Sequence, residues 1–238
     1  MKVRHIACPQ CRRNGKDNKG DNLAVYPDGG SFCFSCGYHE NSKKYVPKMR
    51  EDRNIVSFAR GTIPKEHKAY LQQYLTDKEI QDHFTWDTSL GRMVLLDTLP
   101  TFYWGRDGHT SGRTKVYTQG EVPFHVFSSR TNPDCDALVV VEDPISAIVV
   151  SRNYNALPLF GAHLPVSWYH KLLLSCNNLV VFWLDRDKAQ ESIRLALSFR
   201  HLISTDCIVS SKDPKFYGVT EVNQFMEKIV SREDVIPY

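Results

Sequence analysis

Ala137-Leu138-Val139-Val140-Val141-Glu142-Asp143-Pro144-Ile145 reads as a strand with no polar face that stops on two carboxylates and turns at a proline. A strand apolar on both sides belongs between two layers, as in parallel sheets covered by helices. The pattern recurs downstream: Val180–Leu184 ends on Asp185 and Asp187, and Cys207–Val209 precedes Asp213 in Ser211-Lys212-Asp213-Pro214-Lys215. Helical stretches over Ile145–Arg152, Lys188–Leu202 and 219–230 alternate with these strands. The last third therefore predicts an α/β layer with a mostly parallel sheet, whose ligands gather at the carboxyl ends of the strands.

Glu142, Asp185, Asp187 and Asp213 would converge on that edge. Mutual repulsion makes such a gathering costly unless divalent cations sit between the acids, and hard oxygen donors suit Mg²⁺ or Mn²⁺. The competing reading is that an Asp after a strand caps the next helix. Three strand-end acids in succession favour the metal.

Upstream, residues 64–83 read as helical, with Tyr70, Leu71, Tyr74 and Leu75 at spacings of three and four, and Thr76-Asp77-Lys78-Glu79 as a capping box. From Trp86 to Phe127, short apolar pieces such as Met93–Leu96 and Phe102–Trp104 are punctuated by glycines, which predicts a small mixed sheet.

Near the N-terminus, Cys8, Cys11, Cys33 and Cys36 form C-x2-C-x21-C-x2-C. Two such knuckles supply four thiolates and close a tetrahedral Zn²⁺ site, leaving nothing open for catalysis. The spacer holds its own hairpin signal, Asn22–Tyr26, Pro27-Asp28-Gly29-Gly30, then Ser31–Phe34. That is the layout of a zinc ribbon, a small antiparallel β module. Two disulfides would need an oxidising compartment, and no apolar signal-peptide core follows Met1. Cys135, Cys176 and Cys207 are too scattered for a second cluster and read as small buried residues.

With 42% hydrophobic and 24% charged residues, and no apolar run near the ~18 residues of a membrane helix, the chain reads as a folded cytosolic protein without membrane contact. Its net charge of +3 is divided unevenly: residues 1–50 hold ten Lys/Arg and four Asp/Glu, the remaining 188 twenty and twenty-three. A basic ribbon beside a mildly acidic body suits contact with a polyanion; a solvated basic face is the alternative. Residues 41–50, polar, basic and broken by Pro47, read as a tether.

The Glu after an apolar strand, the Asp-x-Asp after the next and the Lys-Asp further on resemble the Toprim domain of primases, topoisomerases and certain nucleases. His5-Ile6-Ala7-Cys8-Pro9-Gln10-Cys11 and Asp28-Gly29-Gly30-Ser31-Phe32-Cys33-Phe34-Ser35-Cys36 resemble the template-reading zinc domain of phage primases. The resemblance implies a zinc ribbon over 1–42, a flexible basic linker over 43–60, the N-terminal subdomain of a primase core over 61–134, and a Toprim metal-binding subdomain over 135–238.

It further implies a DNA primase, a nucleotidyltransferase that makes short RNA primers on single-stranded DNA. Structural Zn²⁺ would sit on Cys8, Cys11, Cys33 and Cys36. Catalytic Mg²⁺ or Mn²⁺ would sit on Glu142, Asp185, Asp187 and Asp213. Arg113 and Lys115 would bind ribonucleoside triphosphates, with Arg92, Arg106 and His109 as weaker candidates. Asp28 and Tyr26 would meet the template, whereas Phe32 and Phe34 would pack the ribbon's core. No G-x-x-x-x-G-K-[ST] loop occurs, so the expectation is a standalone enzyme in the cytoplasm of a phage-infected bacterium, served by a separate replicative helicase and DNA polymerase. Two departures from the family pattern stand out. Glu142-Asp143-Pro144-Ile145-Ser146 carries Asp143 where Gly is usual and Ser146 where a second acid is usual, and Gly30 occupies a position where a histidine reads template. A Toprim nuclease, or a single-stranded-DNA-binding protein whose site has decayed, are the alternatives.

Overall fold

A computed structural model describes residues 3–17, 19–27, 29–33, 35–40, 58–108, 114–132, 135–161, 163–175 and 179–233. The chain divides into two compact units, Met1–Asp52 and Arg53–Tyr238.

In the first unit, strands β1 (Arg4–Ile6), β2 (Leu23–Val25), β3 (Ser31–Cys33) and β4 (His39–Glu40) pair antiparallel in sequence order, with helix α1 (Pro9–Arg13) between the first two. The expected hairpin is β2–β3; β1 and β4 were too short and polar to show a strand pattern. Asp17 ties the entry loop together, accepting from the N–H of Cys8 at 2.7 Å and of Gly20 at 2.9 Å. The sheet's two faces differ. Ser31 and Cys33 are buried while Phe32 between them is 38% exposed, so the expectation that Phe32 packs the core is wrong. This module is so small that its interior is little more than Leu23, Cys8, Cys11 and Cys33. Phe34 lies outside the described residues.

The second unit begins with an antiparallel sheet in sequence order, β5 (Arg60–Gly61), β6 (Phe84–Asp87), β7 (Arg92–Leu95), β8 (Phe102–Arg106) and β9 (Val116–Gly120). The mixed sheet expected here is thus wholly antiparallel. The predicted helical stretch splits into α2 (Lys65–Leu71) and α3 (Asp77–His83), because Thr76 caps the second through the expected box.

The remainder is the predicted parallel layer: β10 (Ala137–Val141), α4 (Pro144–Val150), β11 (Asn155–Pro158), α5 (Tyr169–Ser175), β12 (Leu179–Phe182), α6 (Ala189–Phe199), β13 (Thr205–Cys207) and α7 (Val219–Glu233). Strand order is β11-β10-β12-β13, every pair parallel. Alternation along β10 and β12 divides two cores. Val139, Val141, Leu179, Val181 and Trp183 join α4, α7 and the antiparallel sheet on one side. Leu138, Val140, Val180, Phe182 and Leu184 join α5 and α6 on the other. Each fully buried aliphatic side chain contributes about 1.5–3 kcal/mol, so these two strands anchor both layers at once.

The two sheets are also joined by polar contacts. Glu79 of α3, 3% exposed, accepts from Arg152 Nε at 2.9 Å, Arg152 Nη2 at 2.8 Å and Arg130 Nη1 at 3.0 Å. Among the described residues no helix is long and apolar enough to cross a membrane.

Candidate active site

The four thiols of the first unit come together. Cys8 opens α1, and its Sγ accepts from the Cys11 N–H at 3.5 Å, the turn that gives a C-x-x-C its grip. On the other side, Cys33 ends β3 and Gly37, at φ 73°, reverses the chain so that its N–H reaches Cys33 O at 2.9 Å. The Sγ atoms all lie within 4.8 Å of one another; Cys8–Cys36 and Cys11–Cys33 are 3.6 Å apart. Four sulfurs about 2.3 Å from one centre would be about 3.8 Å apart, so the group is sized for one tetrahedral ion rather than for two disulfides. Cys135 and Cys207 are half-buried and in no disulfide, and Cys176 lies outside the described residues.

On the opposite face of that sheet, the register sets His5, Ala24, Phe32 and His39 in one row. Tyr26, 37% exposed, follows Ala24 on the same side. The result is an exposed aromatic strip on a basic module. Asp28 lies outside the described residues.

In the second unit, the strand order reverses between β10 and β12, where open α/β sheets place their ligands. Glu142 follows β10 at that point. Its carbonyl accepts from the Gly161 N–H at 3.2 Å, delivered by Phe160 in the left-handed region at φ 56°. A non-glycine held there stores strain of order 1 kcal/mol, which the ring contact of Phe160 with Phe102 at 5.1 Å offsets. Asp185 follows β12 after Trp183 and Leu184, and Asp213 lies beyond β13.

Lys215 draws the acids together. Its ammonium, with the side chain 8% exposed, lies 2.8 Å from Asp143 Oδ2, 3.2 Å from Asp213 Oδ2 and 3.3 Å from Asp185 Oδ2. Burial disfavours its charge, but the three carboxylates outweigh that and hold its proton more tightly than in an ordinary lysine. Burial, then the Asp143 charge, push Asp185 up to about 7, although Lys215 pulls the other way. Burial, with Asp187 and Asp143, also raises Glu142. Glu142 Oε2 and Asp185 Oδ1 are buried without a hydrogen-bond partner. Buried, unpartnered carboxylate oxygens suit a hard divalent cation, although among the described residues only the four thiols form a group of three or more metal-ligating side chains within 4.8 Å. Asp187 is the exposed member, its side chain 75% accessible and 3.3 Å from Lys188.

The departures at 143 and 146 resolve into helix capping. Asp143 Oδ1 accepts from the N–H groups of Ile145 at 2.8 Å and Ser146 at 3.0 Å, and buried Ser146 donates to Oδ2 at 3.2 Å. The alternative weighed for strand-end acids, capping, is thus true of Asp143. Asp213 works at two places, accepting from the Arg186 N–H at 3.1 Å while pairing with Lys215.

Among the basic candidates, Lys115 is exposed just before β9, and Arg113 and His109 lie outside the described residues. Arg92 is 7% exposed and spends its guanidinium on Thr114 O at 3.0 Å, a structural use. Arg106 lies over the Tyr70 ring at 4.9 Å and has a buried Nε without a partner. Burial holds Tyr70 up to about 12 against the Arg106 charge, with smaller opposing effects of Asp143 and Lys215 on the same phenol. Lys215 and Tyr70 had no motif to mark them in sequence.

No family model matches this sequence, and no curated protein matches it. Solved primase structures resemble it. The primase fragment of the bacteriophage T7 primase-helicase protein is similar at 14% identity and a TM-score of 0.42, covering 96% of this chain and 100% of that one. The zinc-binding and RNA polymerase domains of the Aquifex aeolicus primase are similar at 12% identity and a TM-score of 0.49, covering 97% of this chain and 80% of that one. At such identities the role of each residue has to be argued from this chain itself.

Proposed function

We propose that the protein is a DNA primase, a template-directed RNA polymerase that joins ribonucleotides into short primers on single-stranded DNA. The observation that carries this reading is that Glu142, Asp185 and Asp213 follow three adjacent parallel strands, with two buried carboxylate oxygens left unpartnered. The resemblance of the cysteine knuckles and strand-end acids to phage primases supports it, and so does a basic module with an exposed aromatic strip.

Glu142, Asp185 and Asp187 would hold Mg²⁺ or Mn²⁺, which supplies charge neutralisation and Lewis acidity to phosphoryl transfer. Asp213 and Lys215 fix the loops that present these carboxylates. Arg106 and Lys115, with Arg113, supply positive charge for the triphosphate of an incoming nucleotide. Zn²⁺ on Cys8, Cys11, Cys33 and Cys36 holds the ribbon, whose strip of Tyr26 and Phe32 stacks on template bases. Primer hand-over to a DNA polymerase and stimulation by a separate helicase belong to the same reading.

Ser146 and Asp143, both committed to capping α4, favour a second reading, a non-catalytic protein that binds single-stranded DNA. Incubation with single-stranded DNA, Mg²⁺ or Mn²⁺ and labelled ribonucleotides separates them. Short RNA oligomers support the primase, binding without synthesis supports the accessory protein, and DNA cleavage overturns both.

A further inference from the structure

We infer that Lys215 is a built-in cation that fills one half of the acidic cluster, so that the site takes a single divalent ion in the other half. The inference rests on the metal-dependent reading above.

The cluster is divided at Asp185. Its Oδ2 lies 3.3 Å from the Lys215 ammonium, while its Oδ1 is buried with no partner. On the Oδ2 side stand Asp143 and Asp213, each within 3.2 Å of the same ammonium. Glu142 is assigned to the open side because its Oε2 is likewise buried and unpartnered, and Asp187 is the like charge that acts on it most strongly.

A second divalent ion on the Oδ2 side would have to displace or repel an ammonium already neutralising three carboxylates there. Lys215 is also held in place. Pro214 starts a short turn over 214–216, the Phe216 N–H bonds Asp213 O at 3.0 Å, and the Phe216 ring meets Tyr74 at 5.1 Å. A lysine stem pinned by its neighbours gives up little further freedom in keeping its charge among the acids. Asp143 completes the device: its backbone-bonded carboxylate caps α4 through Oδ1 and offers Oδ2 to the lysine. On the open side the only cation within ion-pair distance among the described residues is Lys188, on solvent-exposed Asp187, and exposed pairs of this kind yield readily to a metal.

The test counts Mn²⁺ bound to full-length, zinc-loaded protein by the loss of free-ion electron paramagnetic resonance signal. Wild type is expected to bind one Mn²⁺ per chain. Asp187→Asn should weaken that ion at least tenfold, and Lys215→Met should bind two, with a larger Mn²⁺-induced rise in melting temperature than wild type shows. Two ions on wild type, or one ion of unchanged affinity on folded Lys215→Met, would overturn the inference while leaving the primase reading intact. If Lys215→Met does not fold, the wild-type count together with Asp187→Asn still decides. No Mn²⁺ on wild type would overturn the inference and the metal-dependent reading together.

Discussion

Glu79 and Arg152, seventy-three positions apart, meet through two hydrogen bonds of 2.9 and 2.8 Å that fasten the antiparallel sheet to the parallel one. Removing Glu79 leaves the part-buried Arg152 guanidinium without its carboxylate, at a cost of about 1–3 kcal/mol. Glu79→Ala should therefore destabilise the second unit by roughly that amount. Chemical denaturation checks it; a loss under about 1 kcal/mol would mean the pair is idle.

The same carboxylate sets an acid limit. Burial alone would raise its pKa, but bonds from Arg152 and Thr76 prevail and bring it down from 4.5 to about 2. A depressed folded pKa gives stability that is complete above the unfolded value and is lost as pH falls through the folded one. Stability worth about 3 kcal/mol should drain away between pH 4.5 and about 2, and Glu79→Gln should flatten that part of the curve. Melting temperatures of both proteins across this range provide the measurement.

Purified protein should contain one zinc per chain. Cys36→Ser should lose it and unfold the ribbon while the second unit keeps its own melting transition, since small modules of this kind draw their folding energy from the metal. Elemental analysis and calorimetry read both outcomes; a zinc-free ribbon that stays folded would contradict the assignment.

Asp185→Asn and Asp187→Asn should each lower nucleotide joining at least ~100-fold, as loss of a group that stabilises developing charge does. Single-stranded DNA binding should persist in both. Primer synthesis and fluorescence anisotropy on the same samples separate chemistry from binding; full synthesis in both variants would move the reaction elsewhere.

Phe32→Ala should weaken single-stranded DNA binding by about 1–3 kcal/mol, the worth of one stacked base. Its exposure, and its place in the row with His5 and His39, motivate the substitution. Unchanged affinity alongside retained zinc would leave the strip without a part in template binding.

What the sequence disclosed followed from periodicity and spacing. The all-apolar runs at 138–141 and 180–184 could only be strands covered on both sides, and the cysteine knuckles could only close on each other. β11 stayed hidden because Asn155-Ala156-Leu157-Pro158 is brief and ends in proline, and α5 because its start merges with a short turn at 166–168. Phe32 was misassigned since an aromatic beside a cysteine looks like core until strand register gives it a side. Lys215 was illegible for a deeper reason: its three carboxylate partners come from three different loops, and no local pattern encodes such a meeting.

That dispersal bears on how the molecule comes into being. The ribbon's strands pair with near neighbours in the chain, whereas β10, β12 and β13 join only after long helical crossovers close, and distant parallel pairing is intrinsically slow. On a ribosome, the module with the thiols is complete early, and the acidic pocket acquires its last wall only after the segment that follows β13 has emerged. On the proposed primase reading, a nascent chain would carry its template-binding module well before it could be chemically competent.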